Sequence, residues 1–401
     1  MIRLKDTPFN STAAFLQNAI GIAEYYGFVP LEQVPREKYM LKRLQPISKV
    51  ESEISFARRD ERQLLATARR SVAGVRAGGA LLAWRVTPQQ GSIPAVALEL
   101  HVVGPRSAIA EALLLVIGNA IIDESGIRDR VLSINNIGSP ESNGRFVRDV
   151  GLYLRKHIDS ITPNLRSRAA TDPLGTLVQL IERGHPATPR APQAMEYLTE
   201  DERRRFWELL EYIELSGLPY ELNAHVLGSR DCWAHSLFEL SMLDGESGAR
   251  LPLAFGGRYD PLASRLARSH QSASVMTIIC ESKGTSRVPG RKRSNGVQPA
   301  IYFAHLGTEA RRRALPVLET LRKASIPVHQ SLWHEQIGEQ MAVARTLATP
   351  YILIMGHKEA MEGTLLVREV ATNSQEAIPL PDVVPYLKRR RVALGVPELN
   401  S

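Results

Sequence analysis

Gly256-Gly257-Arg258-Tyr259-Asp260 closes an apolar, strand-like run and decides how the rest of the chain is read. Paired glycines suit a backbone that turns tightly or approaches a neighbour closely. The tyrosine beside them is a packing residue, and the arginine needs an acid to pair with. Five residues are a weak signature alone; order and spacing strengthen it. Ser133-Ile134-Asn135-Asn136-Ile137-Gly138-Ser139 and Thr171-Asp172-Pro173-Leu174 lie upstream. Asp231 and Phe238-Glu239 precede the glycines, and an alternating α/β segment closes the chain.

Composition sets the outer bounds. A chain of 401 residues with 44% hydrophobic and 23% charged residues buries at least one large core, so two or more globular domains are expected. No apolar run approaches the roughly 20 residues of a spanning helix. Met1-Ile2-Arg3-Leu4-Lys5-Asp6 lacks a signal peptide's apolar centre, so no membrane partner is expected. Two cysteines, Cys232 and Cys280, point to a reduced, cytoplasmic setting. The net charge of +8 admits an acidic partner such as RNA. Basic residues gather in Arg287-Val288-Pro289-Gly290-Arg291-Lys292-Arg293 and in Lys388 to Arg391. The first of these is read as a solvated linker, with Arg287, Arg291, Lys292 and Arg293 as the RNA-contact candidates.

Periodicity organises the chain. A helix capped by Asn10 or Ser11 runs to Gly27, with Phe15, Leu16, Ile20 and Ala23 on one face, and a strand follows. Residues 60–76 read as a second helix. Leu81–Thr87 and Ile93–Val103 read as a β-hairpin joined through Pro88-Gln89-Gln90-Gly91. Ala108–Ile122 is a buried apolar helix. Thr199-Glu200-Asp201-Glu202 has the form of a capping box before Phe206, Leu209, Leu210 and Ile213. From Ala300 to Met355 strands and helices alternate as βαβαβ, followed by a strand at Gly363–Arg368. His334-Glu335 opens a zinc-protease-like pattern, but Gly338 stands where its second histidine should fall; no metal site is expected.

Taken together these motifs resemble the class II histidyl-tRNA synthetases over nearly the whole chain. The resemblance implies an α+β architecture with an antiparallel-sheet core, a helical insertion and a C-terminal α/β anticodon-binding-like domain. Its boundaries are expected at 1–139 and 217–283 for the core, 140–216 for the insertion, 284–298 for a basic linker and 299–401 for the last domain and tail. It also implies a homodimer, with motif 1 near Gly27–Pro35.

Family members hold ATP and the adenylate with arginines, and these positions depart here. Aligning the Phe-Arg-x-Glu-Arg-Pro stretch on Pro88 puts Trp84 at the arginine and Val86 at the glutamate, with Arg85 one residue off. Gly228 falls at the arginine of Arg-Gly-x-Asp-Tyr-Tyr, whose tyrosines become Cys232-Trp233. Ser282 replaces the arginine that ends motif 3. Adenylate formation depends on preorganised cations, and removing one such donor costs about 10² to 10³ in rate. The resemblance leaves Glu61, Asp231, Gly256, Gly257, Arg258 and Tyr259 as candidates for a retained ligand pocket. In Gln336–Ala342, where the family commonly carries lysines, Glu339 would repel phosphate. The expected function is a synthetase-like pseudoenzyme that binds or regulates through an unidentified protein partner and requires no cofactor. The alternatives are a module binding tRNA or another RNA, and a working ligase using ATP and Mg²⁺.

Overall fold

The computed structural model describes residues 1–76, 78–89, 93–244, 248–283 and 299–390. Two compact units divide the chain: Met1–Thr12, Val29–Leu210 and Leu218–Ser286 form the first, and Ala13–Phe28, Glu211–Gly217 and Arg287–Ser401 the second. The N-terminal helix α1 (Thr12–Tyr25) therefore groups, almost entirely, with the C-terminal part of the chain. Linear reading had placed it with the core.

The first unit is built on one sheet of β1 (Val29–Pro30), β2 (Leu81–Gln89), β3 (Ala95–Val103), β4 (Arg130–Asn136), β5 (Tyr220–Leu222), β6 (Ala234–Leu243), β7 (Arg250–Arg258) and β8 (Ala273–Glu281), in the order β1-β2-β3-β8-β7-β6-β4-β5. The central pairs are antiparallel; β1 on β2 and β5 on β4 pair in parallel, and Ile2 makes an isolated parallel bridge to Cys280 of β8. The two strands of the hairpin, β2 and β3, pair antiparallel as expected, but Pro88 and Gln89, read as part of the connection, are paired within β2, and Gln90 and Gly91 lie outside the described residues. Ahead of β2 stand α2 (Lys38–Arg43), α3 (Ile47–Glu53) and α4 (Arg59–Val72). The first two were not anticipated, because six or seven residues hold too few turns for a period to register.

Helix α5 (Ile109–Glu124) is apolar nearly all round and buried accordingly. Gly118 lets it settle on β8: a Cβ there would stand 2.1 Å from Met276 Sδ. Residues 140–216 are helical, with α6 (Pro140–Lys156), α7 (Pro163–Thr171), α8 (Pro173–Glu182) and α9 (Glu200–Leu215). The capping box forms as read, with Thr199 N donating to Glu202 Oε2 at 2.7 Å and Glu202 N to Thr199 Oγ1 at 3.3 Å. Asp172 caps α8 in the same way, accepting from Gly175 N at 3.0 Å. The short α10 (Asp260–Ala267) follows β7 directly.

In the second unit, β9 (Ile301–His305), β10 (Val328–Gln330), β11 (Tyr351–Met355), β12 (Thr364–Glu369) and β13 (Gln375–Pro379) form a mixed sheet in the order β10-β9-β11-β12-β13. Helices α11 (Thr308–Lys323), α12 (Ile337–Thr346), α13 (His357–Glu362) and α14 (Leu380–Arg389) complete it. Two tyrosines tie α1 to this unit. Tyr26 Oη donates to Glu319 Oε2 at 2.7 Å and Tyr25 Oη to the Ile326 carbonyl at 2.9 Å.

Candidate functional site

The site of interest lies on one face of the large sheet, and strand alternation decides which residues reach it. Across β2, β3 and β8, Arg85 pairs with Glu99 and Glu99 with Thr277. Glu99 and Thr277 line a small cleft with Asp60, Gln63 and Leu64 of α4. The next row, Trp84, Leu100 and Met276, belongs to the opposite face, where Met276 meets Gly118 of α5. Successive residues of a strand point to opposite faces. Trp84 and Val86 therefore share the face on which Met276 meets α5.

Arg85 and Thr87 occupy the site's face instead. Arg85 is nonetheless turned toward the sheet edge, its Nε 3.1 Å from Glu32 Oε1. Thr87 Oγ1 donates to Glu99 Oε1 at 3.2 Å.

Glu61 stands in the first turn of α4 and is fully buried. Its Oε2 accepts from Ala57 N at 2.7 Å and Arg58 N at 3.2 Å; its Oε1 accepts from Ser229 N at 2.7 Å and Trp233 Nε1 at 3.0 Å. A carboxylate has about four acceptor positions, so internal donors take them all. Burial pushes the carboxyl up to about 7 against those hydrogen bonds. A ligand ammonium would have to displace one of these donors.

The Trp233 indole closes the site. It packs over Gly228, where a Cβ would come within 2.5 Å of Cδ1 and 2.8 Å of Nε1. An arginine at this position would have to push the indole away. The space left in the cleft is about 10 Å³, roughly room for one water molecule.

The remaining candidates scatter. Tyr259 is fully buried beside the site, its hydroxyl 3.0 Å from His101 Nδ1, and burial raises its pKa. Gly256 is needed because a Cβ would meet the Val275 carbonyl at 2.0 Å and the Phe238 ring at 2.9 Å. Gly257 is needed because one would meet the Ser236 carbonyl at 2.5 Å. Asp231 is part-exposed, accepting from Ser55 N at 3.0 Å and lying 3.5 Å from Arg265 Nη2. Ser282 N donates to the Pro94 carbonyl at 2.8 Å, just beyond β8.

Arg258 points away from the cleft to the α5 face, where it forms a buried ion pair that sequence reading did not identify. Its Nε and Nη2 donate to Glu111 Oε1 and Oε2 at 2.8 and 2.5 Å. Arg205 Nη2 and Ser236 Oγ complete the shell of Glu111 at 2.7 and 2.9 Å. Burial alone would raise the Glu111 carboxyl, but Arg258 and Arg205 hold it at about 2. The same burial, followed by the same arginines, lowers His235 to about 4. One acid inside an otherwise apolar helix was the available signal for Glu111. Glu99 and His101, 3.5 Å apart, were also missed.

Arg287, Arg291, Lys292 and Arg293 lie outside the described residues. Among the described residues there is no cluster of His, Cys, Asp or Glu fit to hold a metal, and no helix is long and apolar enough to cross a membrane. Glu339, in the first turn of α12, lies 3.0 Å from His334 Nδ1.

Residues 300–390 match the anticodon binding domain family. Over 300 residues the chain is 26% identical to the histidine–tRNA ligase of Symbiobacterium thermophilum, covering 73% of this chain and 68% of the relative. The histidine–tRNA ligase of a Cyanothece strain is 26% identical over 298 residues, covering 74% and 69%. Among solved structures, apo S. aureus histidyl-tRNA synthetase aligns with 93% of this chain and 94% of its own at 18% identity, with a TM-score of 0.48.

Proposed function

We propose, from the premise that this chain belongs to the class II histidyl-tRNA synthetase family, that it is a member without aminoacylation activity, acting as a binding or regulatory protein. The observation that carries this reading is the Trp233 indole seated over Gly228 and hydrogen-bonded to Glu61. On this reading it takes the space that a side chain at position 228 would need. Supporting it, Glu61 has all its acceptor positions filled, Ser282 replaces a second cation, and Arg85 is diverted to Glu32. Activation of a carboxylate by ATP leans on several such cations at once.

The test is histidine-dependent exchange of pyrophosphate into ATP with Mg²⁺ present. No exchange above background is expected, and robust exchange would overturn the proposal in favour of a working ligase that requires ATP and Mg²⁺. On the same reading the protein needs no cofactor and assembles as a homodimer.

A second reading, RNA binding, draws on the anticodon-binding match over 300–390 and on the basic stretch 287–293. Replacing Arg291, Lys292 and Arg293 together with alanine should weaken many RNAs alike and lower the salt slope by roughly two to three. Tight binding of one tRNA that survives this change and is abolished by swapping its anticodon would shift recognition to residues 300–390.

A further inference from the structure

A second cavity, of about 380 Å³, opens on the outer flank of α4. The helix presents Ala66, Arg69, Arg70 and Ala73 to it, whereas Asp60, Gln63 and Leu64 line the cleft beside Trp233. The two spaces thus lie along successive stretches of one helix. Four guanidinium groups line the outer one, from Arg36, Arg69, Arg70 and Arg85, against the single carboxylate of Glu32. That carboxylate is bonded to Arg85. Among the described residues, Arg36, Arg69 and Arg70 have no acidic partner within ion-pair distance.

Arg69 and Arg70 are held in place by the chain: Arg69 Nε donates to the Gln45 carbonyl at 3.1 Å and Arg70 Nη2 to the Val34 carbonyl at 2.6 Å. Arg70 Nη1 is left buried with no hydrogen-bond partner. A buried donor without an acceptor is costly, and more so when it is charged. Burial, and then the neighbouring Arg36, weaken the hold of Arg70 on its proton. Gathering like charges around an unmet donor is costly unless something anionic relieves it. Leu41 and Ile47 add an apolar wall.

We infer that this cavity binds a di- or triphosphate group, with Arg70 Nη1 as its central donor and Arg36, Arg69 and Arg85 around it. A single phosphate would leave guanidinium groups unmatched, and the volume suits a chain of phosphates or a small nucleotide. The inference shares Arg85 with the proposed function, but Arg36, Arg69 and Arg70 line this cavity and not the cleft, so variants of these residues test it separately.

The test is calorimetric titration of the full chain with inorganic tripolyphosphate, with ATP, and with a short single-stranded RNA. Tripolyphosphate should bind, and Arg70→Met and, separately, Arg36→Met should each weaken it by about tenfold or more. Arg36 is exposed, so its variant should keep the wild-type unfolding midpoint even if the Arg70 variant does not. Glu61→Gln, altered only in the cleft, should bind tripolyphosphate unchanged. Tighter binding of ATP than of tripolyphosphate would identify a nucleotide as the source of the phosphates. The inference is overturned if tripolyphosphate does not bind, if RNA alone binds, or if the two arginine variants bind as well as wild type. Loss of binding in Glu61→Gln would overturn it too, by moving the anion into the cleft.

Discussion

Glu61 and Glu111 are both buried carboxylates, and their surroundings push them in opposite directions. For Glu61 burial prevails and the folded carboxyl titrates near 7, above its ordinary 4.5. The native state then holds the proton more tightly than the unfolded chain does. Its contribution to stability is complete below pH 4.5 and is lost as pH rises through 7. Glu61→Gln should flatten this decline, which urea unfolding at a series of pH values would reveal. An unchanged slope would mean that the four donors, not burial, control the group. Glu111 is the reverse case: held near 2, it contributes stability above its ordinary 4.5 that is lost as pH falls toward 2. Replacing Arg258 by methionine leaves that carboxylate in the α5 face with Arg205 as its one remaining cation among the described residues, beside the Ser236 hydroxyl. A loss of about 3 to 5 kcal/mol in unfolding free energy is expected from equilibrium denaturation.

Within elements, two changes test how tightly the local geometry is determined. Gly256→Ala in β7 drives a methyl into the Val275 carbonyl and the Phe238 ring. Overpacking of this kind costs typically about 1 to 3 kcal/mol, and backbone is the less yielding neighbour, so the upper end is expected in the denaturation midpoint. Thr199→Ala removes the cap of α9 and should cost about 1 kcal/mol. That cap was legible because its four residues are local. The same holds for the Pro88 hairpin as a pairing, but not for its register. A single proline anchors an alignment only if no residue is gained or lost nearby, and period-2 alternation turns an error of one residue into the wrong face. Trp84 and Arg85 fall on opposite faces on that account.

For the molecule as a whole, light scattering should return about twice the chain mass of 44.5 kDa. A monomer at micromolar concentration would remove the homodimer from the proposed function. The division of the chain is a finding of the same scale. Helix α1 is separated from β9 by nearly three hundred residues of sequence, yet Tyr25 and Tyr26 bond to groups on α11 and just before β10. No local pattern in residues 12–25 announces such a partner, because an apolar helical stripe specifies that a face is buried and not against what.

The architecture was legible in the sequence: the antiparallel core, the helical stretch of residues 140–216 and a C-terminal sheet read as mixed or parallel, which the structure shows to be mixed. These follow from periodicity, caps and motif order, all of which act over short range. The sequence also marked Gly228 and Ser282 as positions without a cation. Only the tertiary structure decided what surrounds those positions. Trp233 lies five residues from Gly228, but its indole covers that glycine and bonds to Glu61, over 170 residues away in the chain. Arg258 and Tyr259 are neighbours in sequence and part to opposite sides of the sheet, one to Glu111 and the other to His101. The physical reason is common to both. A side chain's role is set by the face it occupies and the groups packed there, and these depend on pairing between distant strands.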